Sequence, residues 1–82
     1  MALPKSQNFI GPALRQLRQA KGLNQAMLAA RCVRGGWESC TENTISKLET
    51  GVRCITDQEL VLIARALRAK LREFFPDHPK LF

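Results

Sequence analysis

The sequence predicts a single all-α domain, and three observations support this prediction. Apolar residues recur at helical spacing in several stretches, capping residues precede these stretches, and no stretch alternates apolar and polar residues as a half-buried strand does. A chain of 82 residues is long enough for one modest core and too short for two. We expect five helices within residues 9–76, a flexible leader at residues 1–8 and a C-terminal tail at residues 77–82.

The first helix is predicted from an apolar face that recurs at helical spacing, formed by Ile10, Ala13, Leu14, Leu17 and Ala20. Pro12 fits only the first turn of a helix, so the helix should begin near Phe9 or Ile10. Gly22 is well placed to end it in the left-handed conformation.

A second helix should begin after Asn24, because this side chain can accept a hydrogen bond from the backbone N–H groups of the first turn. Gly35 and Gly36 should end it. Its apolar stripe is expected to consist of Ala26, Leu28, Ala29, Cys32 and Val33.

A third helix has two alternative starts. Thr41 is the better cap, and Ser39 with Glu42 forms an alternative capping box two residues earlier. Ile45 and Leu48 are its expected inward positions, and Gly51 should stop it.

The fourth helix is predicted by the capping box of Thr56 and Glu59, which stands immediately before an apolar run. Its buried face should be formed by Leu60, Ile63, Ala64 and Leu67, with the helix ending near Leu67. A short fifth helix is expected from Leu71, Phe74 and Phe75, closed by Pro76.

The charge of the chain is unevenly distributed. There are 13 basic and 7 acidic residues, a formal charge of +6, and no acidic residue precedes Glu38. A one-sided basic surface attracts polyanions, of which nucleic acid is the commonest, although a merely solubilising surface is an alternative. The acid-free start also resembles a transit peptide, but its arginines recur within the predicted first helix.

Other classes of function find little support. Cys32, Cys40 and Cys54 are widely spaced and odd in number, which argues against a disulfide framework or a zinc site and favours reduced, core-facing thiols in the cytoplasm. The only histidine, His78, lies in the tail, and no set of residues suggests catalysis. We therefore expect that the protein is not an enzyme and that it uses no metal, no cofactor and no small-molecule substrate. No apolar run is long enough to span a membrane.

Two short helices joined by a connection, the second opening with polar residues, form a helix-turn-helix pattern. The segments GLNQAMLA at residues 22–29 and TISKLETG at residues 44–51 resemble the Cro and repressor-like helix-turn-helix family, also called XRE-type. The resemblance extends over about residues 10–76. It implies a repressor-like domain of bacterial or phage type that binds double-stranded DNA sequence-specifically and regulates transcription, most simply as a repressor.

The outward face of the third helix carries Glu42, Asn43, Ser46 and Lys47. In a major groove, Asn can pair with adenine, Lys with guanine, and Glu can accept from cytosine. The resemblance places the base contacts of the family at Glu42, Asn43 and Lys47.

Contacts to the DNA backbone are expected from other positions. Gln25 and Thr44 match positions at which the family binds phosphate oxygens, and helix N-termini favour anions in any case. Thr50, Arg53 and Arg15 are further candidates, as are Arg31 and Arg34, although each of these is equally an ordinary surface residue.

The resemblance also implies a partly buried salt bridge between Arg18 of the first helix and Glu49 of the third. We assign this pair a structural role and no contact with DNA. Removing one partner of a buried pair leaves an unpaired charge in the interior.

The sequence departs from the family between Ala29 and Thr41, where a longer stretch containing Gly35, Gly36 and Trp37 replaces the short turn. Trp37 is expected to fold back over the core, with contact to DNA or a partner as the alternative. The enlarged turn leaves open which of the three base-reading candidates reaches a base. A second departure is Arg68, where the family often has a helix-ending glycine.

A protein of this class is expected to act as a homodimer on two-fold related DNA. The apolar residues available for dimerisation are Phe74, Phe75, Leu81 and Phe82, although Phe74 and Phe75 can instead close the core. The rival interpretation is an antitoxin-like protein-interaction module that also binds its own promoter.

Overall fold

The structure, a computed structural model, describes residues 10–74. They form four α-helices and one 3-10 turn: α1 (Ile10–Ala20), α2 (Gln25–Arg34), α3 (Glu42–Thr50), α4 (Asp57–Leu67) and the 3-10 turn Leu71–Phe74. Within this range there is no strand, as the sequence predicted. Within the described residues, the expected fifth helix is a single 3-10 turn, which buries Phe74. The expected leader and tail, together with Phe75 and Pro76, lie outside the described residues.

The starts of three helices follow the predicted caps. The side chain of Asn24 accepts a hydrogen bond from the backbone N–H of Met27 at 2.8 Å. Thr41 and Thr44 form a reciprocal capping box at the start of α3, so the alternative start at Ser39 is wrong. Thr56 and Glu59 form the predicted capping box of α4. These bonds satisfy backbone donors that a helix leaves unpaired at its first turn.

The end of α2 has the hydrogen bonds of a Schellman motif. The backbone N–H of Trp37 donates to the carbonyl of Cys32 at 2.9 Å, and that of Gly36 donates to the carbonyl of Val33 at 3.1 Å. Gly36 has a φ of 117°, which L side chains rarely adopt. The motif therefore fixes Trp37 directly beside the end of α2.

α4 ends with the same pair of bonds, Ala69 N–H to the Ala64 carbonyl and Arg68 N–H to the Arg65 carbonyl. Here the left-handed position is occupied by Arg68, with a φ of 57°. This is the position at which the family often has glycine. The helix therefore ends where such a glycine would end it, with a residue that is less favourable there.

The core lies between α2 and its neighbours, since α2 packs against both α3 and α4, while α1 packs against α3 and the 3-10 turn. Its largest fully buried side chains are Leu14, Leu28, Cys32, Ile45, Leu48, Ile63, Leu67 and Phe74. Phe74 is completely buried and therefore closes the core, so it is not available to a dimer interface.

Two sequence-based expectations about burial are wrong in detail. Ala20 of α1 and Ala26 and Val33 of α2 are exposed, so the inward stripes of both helices are narrower than expected. Among the thiols, Cys32 and Cys40 are buried but Cys54 is exposed, because it lies in the loop after α3. Burial, with a smaller contribution from nearby Cys40, raises the pKa of the Cys32 thiol to about 12.

α1 and α3 approach each other closely at Gly11. A Cβ atom added to Gly11 would lie 2.7 Å from the carbonyl oxygen of Leu48 and 2.8 Å from that of Glu49. Both atoms belong to the backbone and cannot move aside as a flexible side chain can. Gly11 therefore permits the contact that fixes the distance between α1 and α3. Within residues 10–74, no helix has both the length and the apolar character needed to cross a membrane.

We predict that Gly11→Ala lowers the free energy of unfolding by about 1–3 kcal/mol, the usual cost of overpacking, because α1 must shift away from α3. Gly35→Ala is the matched control: its added Cβ would meet its nearest atoms at 3.5 Å, and its backbone is right-handed. Urea unfolding of both variants tests the prediction. Equal stability of Gly11→Ala and Gly35→Ala would contradict the close contact.

Candidate nucleic-acid interface

A buried ion pair connects α1 to α3. The Nε atom of Arg18 lies 2.6 Å from Oε2 of Glu49, and a second guanidinium nitrogen of Arg18 donates to Oε1 at 3.1 Å. Both residues are buried, and the hydrogen bond to Glu49 raises the pKa of Arg18 despite the opposing effect of burial. The structure thus brings together the two residues that the family resemblance pairs.

Two further hydrogen bonds connect this pair to the rest of the domain. The third guanidinium nitrogen of Arg18 donates to the backbone carbonyl of Leu23 at 2.8 Å. The side-chain amide of Gln25, at the start of α2, donates to Oε1 of Glu49 at 3.0 Å. The pair consequently links the C-terminal half of α3 to α1, to the loop after α1 and to the first residue of α2.

The outward face of α3 is formed by Asn43, Lys47 and Thr50. These residues are four and three positions apart and all are exposed, whereas Ile45, Leu48 and Glu49 of the same helix are buried. Asn43 and Lys47 make no side-chain hydrogen bond or ion pair with any other part of residues 10–74. Two of the expected base-contacting residues therefore occupy the centre of a face that the packing of the domain does not use.

The third expected base-contacting residue, Glu42, lies beside that face. Together with Gln25, Asn43 and Ser46 it lines a shallow, open depression between the N-terminal ends of α2 and α3. The structure thus brings an expected phosphate-contacting residue, Gln25, next to two expected base-contacting residues. This depression combines exposed polar groups with the positive ends of two helix dipoles.

Two threonines expected to contact the DNA backbone already have hydrogen bonds within the protein. The Thr50 hydroxyl donates to the backbone carbonyls of Ser46 and Lys47, which lie 3.0 Å and 3.3 Å from its oxygen. Thr44 is half-buried and its hydroxyl accepts from the backbone N–H of Thr41 in the capping box. Their roles as phosphate contacts remain predictions, and that of Thr50 requires its proton to turn away from the helix.

The candidate arginines occupy separate surfaces. Arg15 is exposed on α1. Arg31 and Arg34, at the end of α2, line a depression with Arg68 and Ala66 at the end of α4, and Arg31 donates to the carbonyl of Ala66 at 3.2 Å. Basic side chains at helix C-termini interact favourably with the free carbonyl groups there, which accounts for this cluster without a ligand.

The side chain of Arg53 makes two contacts within the domain that the sequence did not predict. Two of its guanidinium nitrogens donate to the two carboxylate oxygens of Glu59, at 3.1 and 2.5 Å. Its guanidinium carbon also lies 5.7 Å from the centroid of the Trp37 ring, within range of a cation–π interaction. Arg53 is therefore engaged inside the domain, and contact between this side chain and a phosphate remains a prediction.

Trp37 is half-buried and packs against the core, as expected from its size. The sequence did not reveal its contact with Arg53, because the two residues belong to different loops on either side of α3. Gly11 was also overlooked, since only its position opposite a backbone makes it important. The ion pair of Arg53 could have been suspected from Glu59. Its place in the capping box of α4 puts a carboxylate close to the loop that contains Arg53.

A comparison with known protein families matches a model described as helix-turn-helix to residues 14–74 of the chain. This match covers the whole of α2, α3 and α4 and most of α1. The chain therefore belongs to the Cro/repressor-like, XRE-type helix-turn-helix family, whose members are DNA-binding regulators of transcription. Searches of curated proteins and of solved structures gave no significant match.

We predict that Glu49→Ala lowers the free energy of unfolding by about 3–5 kcal/mol, because it leaves the buried Arg18 guanidinium unpaired. Glu42→Ala is the matched control on the same helix: it removes an exposed carboxylate and should cost less than about 1 kcal/mol. The double variant Arg18→Met/Glu49→Leu should recover much of the loss, since it replaces both charges by apolar groups. Urea unfolding that finds Glu49→Ala as stable as Glu42→Ala would refute a stabilising role of the pair.

Glu59 predicts a dependence of stability on pH. Burial alone would raise the pKa of this carboxyl, but its hydrogen bonds to Arg53 and to the backbone of Thr56 hold the pKa below the ordinary value of 4.5. The unfolded chain then binds a proton more readily than the folded one, so the contribution of Glu59 to stability is complete above pH 4.5 and is lost as the pH falls below it.

The measurement is the difference in free energy of unfolding between wild type and Glu59→Gln from pH 7 to pH 3. Other carboxylates titrate in both proteins and cancel in this difference. We expect the advantage of the wild type to shrink below pH 4.5. A difference that is constant with pH would show that the ionised carboxylate contributes nothing.

Proposed function

We propose that this protein binds double-stranded DNA sequence-specifically, with α3 lying in the major groove, and regulates transcription as a repressor of bacterial or phage type in the cytoplasm. The observation that carries the proposal is the exposed polar face of α3 at Asn43 and Lys47, which has no packing role in the described domain. This face lies next to the N-terminus of α2. The family to which the chain belongs consists of DNA-binding regulators.

The residues of this face match the chemistry of base edges. The amide of Asn43 can both donate to and accept from adenine, and the ammonium of Lys47 can donate to guanine. Glu42, at the rim of the face, can accept from the amino group of cytosine. We propose that these three residues read the sequence and that Gln25, with the backbone N–H groups at the start of α2, holds a phosphate.

We also propose that the protein binds as a homodimer on two-fold related half-sites. A single reading helix covers only a few base pairs, and a pair of reading helices about one helical turn apart doubles the sequence that is read. Since Phe74 is buried, the interface must use other residues, and Phe75, Leu81 and Phe82 lie outside the described part of the chain. A monomer both free and on DNA in light scattering would remove the dimer from the proposal.

The test of the function is selection from random DNA duplexes, followed by titration of the enriched duplex and a scrambled duplex at several salt concentrations. We expect enrichment of a defined motif and an affinity that falls as salt rises, because phosphate contacts release counterions. Absence of an enriched motif together with an affinity independent of salt would overturn DNA binding as the function.

Single substitutions then separate base contacts from phosphate contacts. Asn43→Ala or Lys47→Ala should weaken binding to the enriched duplex by about 10- to 100-fold and relax the preference at one or two positions. Gln25→Ala should weaken binding to both duplexes about equally. Arg65→Ala is the charge-matched control for Lys47→Ala, because Arg65 is exposed on α4 and faces away from the core. Equal effects of Lys47→Ala and Arg65→Ala on sequence preference would exclude base reading by Lys47.

A further inference from the structure

Three side chains join the loop that precedes α3 to the loop that follows it. The guanidinium carbon of Arg53 lies over the ring of Trp37, 5.7 Å from its centroid, and the guanidinium forms a bidentate ion pair with Glu59. Trp37 belongs to the enlarged turn before α3, Arg53 to the loop after α3, and Glu59 to the first turn of α4. We call Trp37, Arg53 and Glu59 the clamp.

Trp37 is fixed on the N-terminal side of α3. Its backbone N–H donates to Cys32 at the end of α2, and its carbonyl accepts from the N–H of Cys40 at 3.1 Å. Cys40 is buried and immediately precedes the Thr41 cap of α3. The backbone of Trp37 is therefore joined both to the end of α2 and to the segment that leads into α3, while its side chain packs against the core.

Arg53 is fixed on the C-terminal side of α3. Its backbone N–H donates to the carbonyl of Lys47 at 3.2 Å, so the residue is bound directly to α3. Its partner Glu59 also accepts from the backbone N–H of Thr56 at 3.1 Å, at the cap of α4. The contact between Trp37 and Arg53 thus closes a ring of interactions around both ends of α3.

A short turn restrains the angle between its two helices, because it contains few rotatable bonds. Here the connection spans residues 35–41, and a longer connection restrains its ends less. We infer that the clamp supplies the missing restraint and that Trp37 and Arg53 are positioning residues for DNA recognition by α3. This inference rests on the proposed function, since a reading helix must be held within a fraction of an ångström to discriminate bases.

The experiment compares the affinity for the enriched duplex with that for a scrambled duplex at fixed salt, in Trp37→Leu and Arg53→Met. Each variant removes the cation–π contact but keeps an apolar side chain. We expect the ratio of the two affinities to fall about tenfold in both variants. Binding to the scrambled duplex should change little in Trp37→Leu, whereas Arg53→Met should weaken both duplexes alike if Arg53 also contacts a phosphate, which leaves the ratio as the readout. Trp37→Phe, which keeps an aromatic ring beneath Arg53, should restore part of the ratio.

Two controls separate positioning from a general loss of stability. Leu71→Ala removes part of a side chain that packs against the core from the 3-10 turn, so it should lower the melting temperature without changing the ratio. The double variant Trp37→Leu/Arg53→Met should lose about as much of the ratio as Arg53→Met alone, because Arg53→Met already removes both the contact with Trp37 and the ion pair with Glu59.

The clamp also has a spectroscopic signature. Trp37 is the only tryptophan and the chain contains no tyrosine, so fluorescence reports on this ring alone. Arg53→Met should change the emission spectrum and increase quenching by acrylamide, while the far-ultraviolet circular dichroism stays that of a helical protein.

Folded Trp37→Leu and Arg53→Met proteins that keep the wild-type ratio would overturn the positioning role and leave the proposed function intact. An equal fall of the ratio in Leu71→Ala would also overturn it, because any destabilised variant would then behave alike. A wild-type protein with no preference between the two duplexes would overturn both the proposed function and the inference.

Discussion

The buried pair of Arg18 and Glu49 determines how α3 is held against the rest of the domain. Each nitrogen of the Arg18 guanidinium and both carboxylate oxygens of Glu49 have a hydrogen-bond partner: α1 supplies the guanidinium, α3 the carboxylate, and the backbone of Leu23 and the amide of Gln25 complete the set. Two charges taken out of water return little net stability even when they are well paired. Their geometry is nevertheless demanding, because few arrangements of three segments satisfy all these bonds at once. The pair therefore selects one orientation of α3, and the polar face at Asn43 and Lys47 depends on that choice.

Gly11 and the clamp act on the same helix from other directions. At Gly11 the backbones of α1 and α3 approach as closely as the absence of a side chain allows. Trp37 and Arg53 join the two loops that flank α3. The helix that would read DNA is thus constrained near both of its ends and along its inner face, while its outer face is left to solvent. A long connection between α2 and α3 is compatible with this arrangement because the restraint does not come from the connection alone.

The sequence was most informative where structure is determined locally. The caps at Asn24, Thr41 and Thr56 were predictable because a cap bonds to backbone groups only three residues away. Burial of Ile45 and Leu48 followed from helical spacing, and the family resemblance paired Arg18 with Glu49. The exposure of Asn43 and Lys47, two of the residues expected to contact bases, also followed from helical spacing.

Features that depend on contacts between distant segments were not predictable. Gly11 is unremarkable in the sequence, because its importance lies in the carbonyl groups of α3 opposite it. Arg53 does lie at the surface, with its side chain 39% exposed, but its contact with Trp37 could not be read from the sequence because the two residues belong to different loops. The sequence did not distinguish the 3-10 turn from a short helix, because the three-residue spacing of Leu71 and Phe74 fits both. Val33 is exposed because it lies outside the buried face of α2, which Leu28, Ala29 and Cys32 form.

The unequal environments of the three cysteines have a practical consequence. Cys32 is buried and its thiol has a pKa of about 12, so it carries almost no thiolate at neutral pH. Burial also raises the pKa of Cys40, whereas Cys54 is exposed to solvent. A thiol-directed reagent applied to the folded protein should consequently attach at Cys54 alone. The native chain thus offers one position for a fluorescent or spin label, next to Arg53 and four residues after Thr50, the last residue of α3.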